Sequence, residues 1–261
     1  MNALRIFAFG GITSYRALFN WRHPAVYIPT MLGVPLFELL FFTHLGRFSA
    51  IADDRYFVVS LSIQTSAIAG IYALVMSLVN EREFGTLSAV LASPASRLAL
   101  YGGRTLPAIG HGLLGSAVVF VAGSALLGVG IPAGALPAIV LTALVSAISC
   151  AMFGLALGAV SLRAKDLWVR SNLAFNLLLL LTGATVPLTA LPGWLASIGR
   201  AMPLTHGEQA ARELAAGAGL PGVAGLIGRE MLIGLAWGGL GYALLRIFEA
   251  ENRRRGTLES G

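Results

Sequence analysis

Thr105 to Leu162 reads TLPAIGHGLLGSAVVFVAGSALLGVGIPAGALPAIVLTALVSAISCAMFGLALGAVSL, 58 residues without an Asp, Glu, Lys or Arg. A helix crosses the hydrocarbon core of a bilayer with about 20 mostly apolar residues. The run is too long for one crossing and suits two, with Ile131-Pro-Ala-Gly134 supplying a turn in its middle. Working outward, Tyr56 to Asn80 and Ser171 to Gly199 are also free of charge. Val26 to Gly46 carries only Glu38. Met231 to Leu245 carries none, and extending it back to Gly222 takes in Arg229 and Glu230. These runs predict an all-α membrane protein with six spans, at 25–45, 56–80, 105–128, 135–162, 171–189 and 224–248. The first is not a cleaved signal peptide on a soluble body, because five more follow.

Composition agrees. Hydrophobic residues make up 56% of the 261 and charged residues 11%, against about 25% charged in ordinary soluble domains. So little charge cannot cover a water-facing surface, which excludes an ordinary soluble enzyme and a disordered chain. The net charge of +6 reflects basic residues gathered beside spans rather than a nucleic-acid surface. One cysteine, Cys150, lies in an apolar run and excludes an intrachain disulfide.

Basic residues set the orientation. The N-terminal segment, the second loop, the fourth loop and the tail hold thirteen Arg or Lys, and the alternate loops hold four. Both termini are therefore expected in the cytoplasm of a multi-pass protein. Residues 1–23 are expected to form an amphipathic helix in the membrane interface. Leu4, Phe7, Tyr15, Leu18 and Trp21 share one side, opposite Asn2, Arg5, Thr13, Arg16 and Asn20.

Several chemistries are missing. His23, His44, His111 and His206 show no HExxH spacing, and there is no GxSxG elbow. The single lysine, Lys165, precedes Asp166, so no Walker A loop exists here. The chain is read as binding no metal and no cofactor of its own. GxxxG pairs at Gly154/Gly158, Gly234/Gly238 and Gly130/Gly134 are no more than 32 glycines produce by chance. An ionisable group inside a span costs about 2.5–3.5 kcal/mol. Glu38 faces a partner helix or a polar path, or lies near the outer interface with His44. His111 fits a packed polar residue. Arg229 and Glu230 mark the outer end of the last span rather than a proton relay.

The second cytoplasmic loop, 81–97, reads Glu81-Arg-Glu-Phe-Gly-Thr86, then Leu91-Ala-Ser-Pro94 and Arg97. It is acidic at its start and basic at its end, as a short helix prefers. After the fifth span come Val186-Pro-Leu-Thr-Ala-Leu-Pro-Gly-Trp194 and Met202-Pro-Leu-Thr-His206. Pro187, Pro192 and Pro203 break helices there, Trp194 suits an interface, and Gly207 to Gly217 fits a short amphipathic helix. In these motifs and their order the chain resembles the ABC-2 type transporter permease family.

The resemblance implies a single transmembrane domain over 1–261, with a coupling helix at 81–97 and short re-entrant helices in the extracytoplasmic region 190–222. Glu81, Arg82, Glu83 and Phe84 would then meet a separately encoded ATPase, with Gly85 and Thr86 shaping the turn. ATP and Mg would sit on that partner, present in two copies, and a second permease subunit, identical or different, would complete the path in the lipid. The family lines that path with its second and fifth spans, which makes Ser60, Gln64, Thr65, Asn172, Asn176 and Thr182 the candidates here. Ser161-Leu-Arg-Ala-Lys-Asp-Leu-Trp168 is unlike the EAA loop of importers, which favours export of an amphipathic or hydrophobic cargo: a drug-like compound, a lipid or a lipid-linked glycan. The rival readings are an ion-coupled secondary transporter, for which only Glu38 offers a buried acid, an intramembrane hydrolase, whose paired catalytic groups are missing, and a non-transporting anchor or sensory subunit.

Overall fold

The computed structural model describes residues 10–11, 29–83, 85, 97–161 and 167–255. Among the described residues the regular elements are all helical. A π-helical turn, Pro29–Gly33, leads into α1 (Val34–Ser49). There follow α2 (Asp54–Glu83), α3 (Arg97–Leu127), α4 (Leu136–Ser161), α5 (Leu167–Thr182), α6 (Gly193–Arg200), α7 (Thr205–Ala215) and α8 (Leu220–Arg255). Hydrocarbon offers no partner for a backbone N–H or C=O, so a chain this apolar satisfies them within helices.

Four stretches are long and apolar enough to cross a membrane: Asp54–Leu78, Leu100–Leu127, Ala133–Val160 and Leu220–Phe248. They fall on the second, third, fourth and sixth expected spans. The first and fifth fall on α1 and α5, of 16 residues each. The ends have local causes. α1 stops where Ala50 turns left-handed at φ 51 and its N–H bonds Gly46 O. α5 stops at Thr182 rather than 189 because Gly183 takes φ 88 and Pro187 has no N–H to offer a continuing helix. Of the expected interfacial helix only Gly10 and Gly11 are described, both helical, and the rest of 1–23 lies outside the described residues.

α2 and α4 form the inside of the bundle. About 72% of the apolar stretch of α2 and 61% of that of α4 is buried, against 33% for α3 and 22% for α8. The outer helices turn Val121, Leu232 and Leu235 outward, as lipid-facing surfaces do. Between α2 and α4 the main core runs through Val59, Ile63, Ala67, Ile71, Val75, Ile139, Ala143, Cys150 and Phe153. Phe153 also meets Trp237 of α8 edge to face at 4.8 Å. The Trp237 indole N–H donates to Ala201 O at 3.3 Å and so ties α8 to the end of α6.

Close approach depends on small residues. A Cβ on Gly154 would lie 2.7 Å from Ile71 O and 2.9 Å from Ile71 Cα. One on Gly234 would lie 2.8 Å from Ser149 Cα, and one on Gly241 2.7 Å from Ala156 N. These neighbours are backbone and cannot swing aside. Two of the three GxxxG pairs, at 154/158 and 234/238, thus sit at helix contacts, while Gly130 and Gly134 face open space. Serines add to the contact: Ser66 Oγ lies 2.6 Å from Ile63 O on its own helix and 3.3 Å from Ala143 O across to α4.

Gly154→Leu should force α2 and α4 apart, and overpacking of this kind costs on the order of 1–3 kcal/mol. A Cβ on Gly225 would meet nothing within 4 Å, so Gly225→Ala should leave stability unchanged or slightly raised. Thermal unfolding of the detergent-solubilised protein measures both. Equal midpoints for the two variants would contradict the close α2–α4 contact.

Candidate functional site

Glu81, Arg82 and Glu83 form the last turn of α2. Within the described residues they continue α2 without a break. Gly85 itself takes φ 65 in a turn, a conformation that glycine adopts without a Cβ clash. Phe84 and Thr86 lie outside the described residues, as does the rest of the loop up to residue 96.

The candidate path residues divide among separate contacts. Ser60 is fully buried and its Oγ accepts from Arg212 Nη1 at 2.8 Å. Gln64, also buried, donates through Nε2 to Glu38 Oε1 at 3.2 Å and so joins α2 to α1. Thr65 is half-buried and donates back to Leu61 O. Asn172 accepts from the Tyr72 hydroxyl at 2.7 Å, which joins α5 to α2. Asn176 is exposed and donates to Asn172 O at 2.8 Å. Thr182 is buried with its Oγ1 unpartnered. Glu38 thus faces a partner helix, and His111 is half-buried on α3.

The most polar interior site lies elsewhere. It surrounds α7, which packs on α2, α4 and α8. At one end of α7, Glu230 of α8 is completely buried, and its carboxylate accepts the Leu204 N–H at 2.7 Å and the Gly207 N–H at 3.2 Å. It thereby caps, from another helix, amides that α7 leaves without intrahelical acceptors. The cap also holds Leu204 at φ 83, a left-handed conformation that a branched side chain resists. Gly207 fits because it lacks a Cβ, which would overlap Ser146 Oγ of α4. The Ser149 hydroxyl donates to Glu230 O at 3.2 Å and fixes α4 to α8 at this level.

Further along α7, Arg212 Nη1 reaches Ser60 Oγ at 2.8 Å and Gly183 O at 3.4 Å. Its guanidinium stacks 4.6 Å from the centre of the Tyr56 ring, within cation–π range. The Tyr56 hydroxyl donates to the same Gly183 carbonyl. One side chain therefore holds α7 to the start of α2 and to the end of α5. Glu208 lies one turn before Arg212, is fully buried, and approaches it with Oε2 at 3.6 Å. Burial pushes the Glu208 carboxyl well above its usual range, while Arg212 opposes that shift. Burial, with Arg229 and Arg200 nearby, holds the His206 imidazole below its usual range.

The sequence carried a trace of this site in the i, i+4 spacing of Glu208 and Arg212. The spacing fits a solvated helix equally well. Glu230 corrects an expectation: it does not mark the outer end of the last span. α8 begins at Leu220, so Glu230 lies nearly three turns inside it, and it is buried while its neighbour Arg229 is exposed.

Glu230→Ala should strand two buried N–H groups, each worth about 1–3 kcal/mol when left unpaired. Glu230→Gln keeps one acceptor oxygen and should lose less. Unfolding midpoints of the two variants test the order, and an unchanged midpoint for Glu230→Ala would refute the capping role.

These helices and loops can be set beside known proteins. The family model described as ABC-2 type transporter matches residues 9–215. That match takes in α1 to α7, including the Arg212 contacts. No curated protein matches the chain. The chain belongs to the ABC-2 type transporter family, a family of membrane subunits of ABC transporters.

Proposed function

We propose that the chain is the permease subunit of an ATP-driven exporter. The observation that carries the reading is the family match over residues 9–215, which includes the polar segment after α2. In this reading Glu81, Arg82 and Glu83, at the end of α2, meet a separately encoded ATPase that binds ATP and Mg. Two ATPase copies and two permease subunits make the working assembly. The thirteen basic residues against four support cytoplasmic termini in a bacterial inner membrane. That orientation puts α6 and α7 on the outer side.

Work reaches a cargo only through contacts that differ between two states of the assembly. ATP-driven movement at the end of α2 would be carried along its length, because α2 is one continuous helix from Asp54 to Glu83. The spans hold few charges, which suits an amphipathic or hydrophobic cargo such as a drug-like compound, a lipid or a lipid-linked glycan. Gln64 and Asn176 remain the preferred path residues, since an amide in hydrocarbon needs a partner. Of the two, Asn176 is exposed on α5 and suits contact with cargo or with the second subunit.

The test is co-purification of the ATPase and cargo-stimulated ATP hydrolysis by the reconstituted complex. Combined Glu81→Ala and Glu83→Ala substitution should release the ATPase or abolish stimulation while the permease stays folded. Transport by the purified chain in liposomes without any ATPase would refute the reading.

A further inference from the structure

The cluster around α7 brings together two buried carboxyl groups, Glu208 and Glu230, and one guanidinium, Arg212. The two acids are placed differently. Glu230 receives two backbone N–H groups. Glu208 receives no hydrogen bond at either oxygen, although both oxygens are buried. Arg212 forms an ion pair with Oε2 at 3.6 Å, longer than a normal hydrogen bond, and the same Nη1 is also directed at Ser60 Oγ and Gly183 O. A carboxylate shut away from water, whose single ion-pair contact is long and shared with Ser60 and Gly183, is a poor place for a negative charge.

We propose that Glu208 is a proton-binding site, holding its proton while α7 is seated between α2, α4 and α8, and that losing the proton loosens that seat. The ligand is the proton itself. The groups around the site are named by element. On α7 these are Arg212 and His206. Across on α2 stands Tyr56, which stacks on Arg212. From α4 comes Cys150, close enough to feel both acids. From α8 comes Glu230, with Arg229 acting on His206 alongside Arg200 at the end of α6. Among the described residues, Arg212 is the cation acting on Glu208, and Glu230 is the competing anion. Burial raises the proton affinity of Glu208, in keeping with the geometry. The proposal stands apart from the transport reading and holds whatever the chain moves.

The sign of the pH effect follows from proton counting. Above the ordinary carboxylate range the unfolded chain has released the Glu208 proton and the folded chain keeps it. Stability therefore falls as pH rises, until Glu208 titrates in the folded state as well. Neutral His206 contributes the opposite slope near the ordinary histidine range, but it does so equally in wild type and in a Glu208 variant.

The experiment compares wild type with Glu208→Gln, as full-length protein in lipid nanodiscs, by thermal unfolding from about pH 5 to about pH 8.5. Glutamine keeps the shape of a neutral carboxyl and has no proton to lose. Its midpoint should match wild type at the acid end and exceed it by several degrees at the alkaline end. A midpoint below wild type at every pH with an unchanged slope would overturn the proposal, since it would show an ionised Glu208 paired with Arg212. Failure of Glu208→Gln to fold would count against it in the same way. Infrared spectroscopy gives a second measurement, made in a Glu38→Gln background to remove another buried acid. A neutral-carboxyl band near pH 7 that disappears in Glu208→Gln and persists in Glu230→Gln is expected. Absence of that band in the Glu38→Gln protein itself would overturn the proposal without reference to any Glu208 variant.

Discussion

The backbone-to-backbone approach of α2 and α4 is the contact from which the other helices take their places. Gly70 would put a Cβ 2.6 Å from Ala147 O, and Gly154 would put one 2.7 Å from Ile71 O, so each helix offers a glycine to the other's main chain. In a bilayer, lipid tails are as apolar as leucine, and helices gain little from hiding apolar surface against each other. Packing density and short polar contacts must supply the association, and both need small residues. α3 uses the same device on the other side of α2, where Gly112 would put a Cβ 2.7 Å from Ser66 O. α8 uses it on α4 through Gly234, Gly238 and Gly241.

On this frame α7 is an insertion held by polar groups. Its start is capped by Glu230 from α8, and Arg212 reaches from its far half to Ser60, Tyr56 and Gly183. These contacts join α2, α5 and α8, three helices distant in sequence, through one eleven-residue helix. Movement between these three helices would have to change at least one of the contacts. Buried polar groups of this kind cost stability when a partner is lost. They therefore favour discrete arrangements over continuous sliding, which is the property a switching membrane protein needs.

Some features were legible because they are local. The four helices long and apolar enough to cross a membrane were readable from runs without charge, since one charge in hydrocarbon outweighs several weak preferences. The end of α2 near Gly85 and the proline breaks after α5 follow from backbone chemistry at single residues. The end of α5 was less legible, because apolar residues continue past Gly183, where a left-handed turn stops the helix ahead of Pro187. The glycine pairs were unreadable by counting. In a chain with 32 glycines, which pair meets a neighbour depends on rotation about the helix axis, and the sequence does not set that rotation.

The same distinction holds for the candidate site. Ser60 and Gln64 were singled out because the family resemblance lines the path with the second span, in which they are polar residues. Glu208 and Arg212 lie where polar residues recur along the chain, so composition allowed them to be solvated, and Glu230 fitted the edge of an apolar run. The sequence by itself determined that the chain is helical, that it enters the membrane, and that the loop after the second span is polar, because these depend on transfer energies summed over neighbouring residues. Only the tertiary structure decided that Glu230 caps α7, that Arg212 joins three helices, and that Glu208 is buried beside Arg212, because each depends on which distant side chains share one small volume.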